Sequence, residues 1–209
     1  MIMPVDASSM ESLKHGTTTV GIRVKEGVVL AADKRATAGH LIAHRKVKKI
    51  VKVTDKIAIT IAGLVADAQA LADLLKNQLS YYRISVKKEP TVYTAATLLS
   101  LVLYSSKWFP YIVQLLVGGY DNESRLYALD WFGTLTEEEY VATGSGSPIA
   151  LGLLEEEYSR DLSIDEAVEL ARKAISSSIR RDTASGDGID VAIITQKGYV
   201  EKTLSYISK

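Results

Sequence analysis

Gly16-Thr17-Thr18-Thr19-Val20-Gly21-Ile22-Arg23-Val24-Lys25-Glu26-Gly27-Val28-Val29-Leu30-Ala31-Ala32 is the stretch from which the fold is read. Two runs rich in β-branched residues, 17–24 and 28–32, flank the turn signal Lys25-Glu26-Gly27, the pattern of an antiparallel hairpin. Upstream the character changes. Residues 1–16, MIMPVDASSMESLKHG, are polar, Ser-rich and aperiodic, without the basic start and hydrophobic middle of a secretion signal. They read as a detachable leader, and the body begins at Thr17.

Downstream, residues 49–53 and 57–62 read as two further strands hinged on Thr54-Asp55-Lys56. Beyond Gly63 the period becomes helical: Leu64, Ala68, Leu71, Leu75 and Leu79 recur at three- and four-residue spacing. A second helix is expected over 91–107, stopped near Pro110. Strands 112–117 and 125–129 then flank the turn Asp121-Asn122-Glu123-Ser124. A strand near 140–143 runs through Gly144-Ser145-Gly146-Ser147-Pro148 into a helix. Ser163 and Glu166 form a capping box for another, whose face is Ile164, Ala167, Val168, Ala171, Ala174 and Ile175. Strands 189–194 and 199–203 close the chain around Lys197-Gly198. Consecutive strands with tight turns imply antiparallel pairing, and paired helices between β blocks imply helices covering sheet faces. The expectation is one layered α+β domain over residues 17–209.

The composition agrees. At 209 residues, 47% hydrophobic and 24% charged, the chain can bury a core and is not disordered. Its formal net charge is zero, so no whole-protein field draws nucleic acid or anionic lipid. It has no cysteine, which excludes disulfides, thiolate nucleophiles and zinc-thiolate sites and fits a reducing compartment. The longest apolar region, 97–120, is broken by Lys107 and Pro110 and falls short of the roughly 20 apolar residues a membrane span needs. A soluble, cytoplasmic protein is expected.

Few groups remain to carry chemistry. The three histidines, His15, His40 and His44, accompany no serine-hydrolase motif. His40 and His44 would be roughly 13 Å apart along a strand, too far for one ion. The Gly144–Pro148 segment resembles a phosphate cradle but lacks the P-loop lysine, so a tight turn before a helix is the simpler reading. Residues 182–188 lack the alternating carboxylates of a calcium loop. The triple glutamates at 137–139 and 155–157 read as solvated faces. What remains is Gly16-Thr17. If that bond is cut, Thr17 offers a nucleophilic Oγ and a free α-amine on one residue. An α-amine is roughly 10 to 15% neutral at pH 7 and a lysine less than about 0.1%, so the terminal amine is a usable base without a histidine. A neighbouring ammonium, itself held by a carboxylate, would lower the amine's pKa further.

Seven segments in order then carry a resemblance: Thr17-Thr18-Thr19-Val20-Gly21-Ile22, Asp33-Lys34-Arg35, Lys48-Lys49, Ile61-Ala62-Gly63-Leu64-Val65, Val113–Gly119, Gly144–Pro148 and Arg181–Gly186. Together they resemble the β subunits of archaeal 20S proteasomes, over essentially all of the chain from Thr17. The resemblance implies the Ntn-hydrolase fold, a four-layer αββα sandwich of two packed antiparallel sheets flanked by helices. It implies residues 1–16 as a propeptide cleaved at Gly16–Thr17. Thr17 would be the nucleophile and its amine the base, with Asp33 and Lys49 beside it. The Gly63 N–H would donate to the oxyanion, and Ser145, Asp182 and Ser185 would complete the polar network. Ala36, Val47, Val51 and Ile61 would line an apolar substrate pocket.

Implied partners are further β subunits in stacked heptameric rings, capping α subunits, an unfoldase ATPase and unfolded protein substrates. No metal and no cofactor is assigned. Two readings follow, a self-processed threonine endopeptidase and a catalytically silent or unprocessed subunit of the same ring. The bacterial two-ring relative is disfavoured by chain length, the leader and the 182–186 segment.

Overall fold

The computed structural model describes residues 16–39 and 41–206; His15, with the rest of the leader, and His40 lie outside the described residues. The strands are β1 (Thr19–Val24), β2 (Gly27–Asp33), β3 (Ala36–Ala38), β4 (Leu41–His44), β5 (Ile50–Lys52), β6 (Ile57–Gly63), β7 (Val113–Tyr120), β8 (Ser124–Leu129), β9 (Leu135–Glu137), β10 (Tyr140–Thr143), β11 (Ile189–Thr195) and β12 (Gly198–Leu204). The helices are α1 (Val65–Val86), α2 (Val92–Ser105), α3 (Ser147–Glu157) and α4 (Ile164–Ile179).

Sheet 1 has the order β10-β1-β2-β11-β12 and sheet 2 the order β5-β6-β7-β8-β9, while β3 and β4 form a separate hairpin. The pairings are antiparallel. Alternation along each strand explains the layering. In β2, Val29 and Ala31 pack with Leu154, Ala171 and Ile175 of α3 and α4, whereas Val28, Leu30 and Ala32 meet Ala58, Leu116 and Leu126 of sheet 2. Because both faces are covered, β2 is buried at every position and its sequence is an unbroken apolar run up to Asp33. On the far side of sheet 2, Ile57, Ile59 and Ile61 pack against Leu71, Leu75, Leu99 and Leu103 of α1 and α2. The result is the expected αββα sandwich.

Register places the strand ends. The two-residue turn Lys25-Glu26 pairs Val24 with Gly27 and Thr19 with Ala32, so the residues before β1 meet the end of β2. Thr19 also pairs Thr143, and Asp33 pairs Ile189. The turn after β10 and the loop before β11 therefore arrive at the same edge of sheet 1. Sheet 2 brings the start of β5 and the end of β6 to that edge, with Lys49 O accepting from Ile61 N at 2.9 Å.

Several expectations shift in detail. Leu64, placed on the helical stripe, is the extended N-cap residue of α1, which continues past Leu79 to Val86. The stretch between Asp33 and Lys49 carries the hairpin β3–β4, which has an irregular register at Ala36/Thr37 and a fully exposed β4, so no inside–outside alternation marks it. The three-residue β9 is likewise too short and too exposed to show a period. The capping box forms as expected, with Ser163 Oγ accepting from Glu166 N and Glu166 Oε2 accepting from Ser163 N at 2.8 Å.

Leu116 is wholly buried in the layer between the sheets. Leu116→Ala should lower the unfolding free energy by about 2–5 kcal/mol, measured by urea titration, and a loss below about 0.5 kcal/mol would contradict this packing.

Candidate active site

Asp33, at the end of β2, is the hub of the polar residues at the shared edge. Its Oδ1 accepts from Thr18 N at 2.9 Å, Lys49 Nζ at 2.7 Å and Thr17 Oγ1 at 3.4 Å. Its Oδ2 accepts from Arg35 N at 3.0 Å, an Asx-type turn as the chain leaves the strand, and from Gly186 N at 2.9 Å. Five donors from four segments converge on one carboxylate. The Asp33 and Lys49 side chains are 0% and 6% exposed, and their contact is an ion pair between the two sheets. Burial pushes the Lys49 ammonium below the ordinary lysine range, and the Asp33 carboxylate pulls in the opposite direction.

A second set of bonds closes over Thr17 from the other side. Thr17 N, here a peptide nitrogen, donates to Ser145 Oγ at 3.1 Å. Ser145 Oγ bonds Asp182 Oδ2 at 2.6 Å, Ser185 Oγ donates to the same oxygen at 2.7 Å, and Ser185 Oγ lies 2.7 Å from Thr18 Oγ1. The Gly144–Pro148 turn presents its Gly146 N–H to the Thr17 carbonyl at 3.3 Å, so its donors are aimed at the polypeptide. The 182–188 loop spends its carboxylates internally too: Asp187 accepts from Arg35 Nε at 2.7 Å and Arg45 Nη1 at 2.9 Å. Gly16 is buried, and a Cβ at that position would collide with the Ala184 Cβ. Only glycine fits before Thr17 in this arrangement.

Thr17 opens onto a cleft of about 460 Å³. Ala36, Val47, Val51 and Ile61 all line it, as do Lys49 and Gly63. Gly63 has φ +121°, a conformation that disfavours side chains, and a Cβ there would collide with the Ile112 carbonyl oxygen. All seven residues of the expected catalytic set thus lie around this edge. The sequence reading missed the opposite wall, which is a face of α1: Val65, Gln69, Ala72, Asp73 and Lys76. Their spacing of three and four was present in the sequence, one step from the core stripe, but their mixed polarity resembles a solvated face. Also missed was Gln114, whose Oε1 accepts from Gly144 N at 3.2 Å. His44 lies exposed at the end of β4, away from this cluster's bonds. Glu137, expected on a solvated face, is exposed and also accepts from the buried Arg23 Nη1 at 2.6 Å.

Two antiparallel sheets packed face to face between helices, with a threonine at the head of the first strand, define the N-terminal-nucleophile hydrolase fold. The family model described as "Proteasome subunit" matches residues 13–194. A "Proteasome subunit beta 2" of Hyperthermus butylicus is 59% identical over 186 residues, covering 89% of this chain and 88% of that protein. That of Aeropyrum pernix is 57% identical over 196 residues, covering 94% and 90%. A "Proteasome subunit beta" of Ferroglobus placidus is 56% identical over 190 residues, covering 90% of each. The chain belongs to the proteasome subunit family, as a β subunit of the core.

Removing Asp33 would strand a buried ammonium. Asp33→Ala should cost about 3–5 kcal/mol at pH 7. Because the Lys49 pKa is lowered in the fold, the unfolded chain binds more protons between the folded value and 10.5, and stability rises with pH there. Without Asp33 that window opens at lower pH, so the deficit should narrow between pH 7 and 9 in urea titrations. An equal deficit at both would contradict the buried pair.

Proposed function

We propose that this β subunit is a threonine endopeptidase, made as a precursor that removes its own residues 1–16. The observation that carries the reading is the convergence on Thr17: its Oγ1 and Lys49 Nζ share one oxygen of Asp33, and its nitrogen bonds Ser145. In processing, Thr17 Oγ attacks the Gly16 carbonyl carbon, the Gly16–Thr17 C–N bond breaks, and an ester to Thr17 Oγ forms as the amine is released. Water then hydrolyses the ester, freeing the leader's carboxylate and the hydroxyl.

The freed amine takes the place of the amide that bonds Ser145. In substrate cleavage Thr17 Oγ attacks the scissile carbonyl while its proton passes to the amine. The amine returns that proton to the departing chain, and water then releases the acyl group. Lys49, held by Asp33, favours deprotonation of the hydroxyl and amine through its charge. The Gly63 N–H stabilises the tetrahedral oxyanion, a role worth about 3 kcal/mol in other hydrolases.

The substrates are unfolded protein chains, bound with an apolar side chain in the cleft floored by Ala36, Val47, Val51 and Ile61. A charged side chain finds no ionic partner among those four. The reading includes further β subunits in stacked heptameric rings, capping α subunits and an unfoldase ATPase. Enclosure of this kind keeps an unselective cleft from other unfolded chains. Among the described residues, no helix is long and apolar enough to cross a membrane. The cytoplasm is the compartment that fits this reading.

Coexpression with an α subunit tests the nucleophile. Thr17→Ala should abolish peptidase activity, whereas Thr17→Ser should retain part of it; full activity in the alanine variant would move the nucleophile elsewhere. Fluorogenic peptides test the cleft. Those ending in Leu or Tyr should be cut faster than those ending in Arg or Asp, and Arg as the best substrate would refute the apolar floor.

A further inference from the structure

Three hydroxyls lie between the sheets where the apolar layer has no need of them. Thr19 and Thr60 are wholly buried and Thr143 is 8% exposed. Thr60 Oγ1 on β6 donates to Thr19 Oγ1 on β1 at 3.1 Å, and Thr19 Oγ1 lies 2.7 Å from Thr143 Oγ1 on β10. Ala58, Leu116, Leu126 and Val141 form the surrounding layer. Valine has nearly the shape of threonine and would satisfy this setting without a buried polar group to partner. Shape and burial therefore leave the hydroxyls unexplained.

Their position supplies a reason. Thr19 is two residues beyond Thr17, on the same face of the chain, and is tied to sheet 1 through its pair Thr143. Thr60 is three residues before Gly63 on β6 of sheet 2. Nucleophile and oxyanion donor thus belong to different sheets, joined at the edge by the Asp33–Lys49 pair and the Gly144–Gln114 bond and, further in, by apolar contacts that have no preferred direction. A hydroxyl bond has a direction and a length, and this one crosses the gap beside both groups.

We propose that the Thr60–Thr19–Thr143 cluster is a positioning device that fixes how sheet 1 lies on sheet 2, and thereby the placement of Thr17 Oγ relative to the Gly63 N–H. It deepens the peptidase reading and rests on it. Both reacting groups keep their chemistry when the cluster is cut, so the loss falls on alignment in the transition state and not on ground-state binding, for which the cleft is unchanged.

Steady-state kinetics on the assembled, leader-free particle test this. Thr60→Val should lower kcat about tenfold with KM within about twofold of wild type, since misplacement on the order of 1 Å costs up to about 100-fold. Thr60→Ser, which restores the hydroxyl, should bring kcat back to within about twofold. Wild-type kcat in Thr60→Val, a change confined to KM, or a loss that Thr60→Ser does not restore would each overturn the proposal. Should Thr60→Val fail to assemble, Thr19→Val removes the same inter-sheet bond from the other side and should lower kcat with KM held; wild-type kcat there overturns the proposal equally. A wild-type particle without peptidase activity would instead sink the reading on which this one rests.

Discussion

The carboxylate of Asp33 is the constraint on which the rest depends. It is buried between two sheets, and it gathers the segment before β1, the turn after β2, the residue before β5 and the loop before β11. A buried charge without partners would be destabilising by several kcal/mol, so these segments are held to positions that keep all five bonds. One oxygen serves Thr17 and Lys49 together. The interaction that stabilises the edge of the sandwich is therefore also the one that sets a lysine beside a threonine hydroxyl.

The fold has reason to be a sandwich for this task. A single sheet could present Thr17 with Asp33, since register alone brings those positions together. Lys49 and Gly63 come from the second sheet, and the cleft lies between them and α1. Packing the sheets face to face brings the ends of six strands and one helix face to one place, with rigid elements behind each side chain. Gly16 reaches that same place. Gly16 lies in the cleft lining against Ala184, where no side chain fits, so the join with Thr17 is already held within the cluster that would act on it.

Much of this was legible in the sequence, and the parts that were not share a cause. The hairpin of β1 and β2, the helical stripe through Leu71 and Leu75, and the capping box at Ser163 announce themselves because each burial pattern has a period. β3, β4 and β9 do not: β3 and β9 are three residues long, and β4 is exposed throughout. The positions around Thr17 were legible only through the combination of seven segments; taken alone, Asp33 and Lys49 look like surface charges, and nothing local marks them as a buried pair. The α1 wall was missed because Gln69, Asp73 and Lys76 alternate in polarity with Val65 and Ala72. Side chains that line an open cleft obey no rule of burial, so periodicity cannot distinguish them from a wet surface.

The account turns on whether the Thr17 nitrogen is an amide or an amine in the working particle. Intact mass spectrometry of the wild-type chain, taken from an assembled particle in the same preparation that hydrolyses peptides, reads this directly. The expected mass is that of residues 17–209 with an unmodified amino terminus at Thr17. Peptide hydrolysis by a particle in which every such chain still carries residues 1–16 would contradict the account.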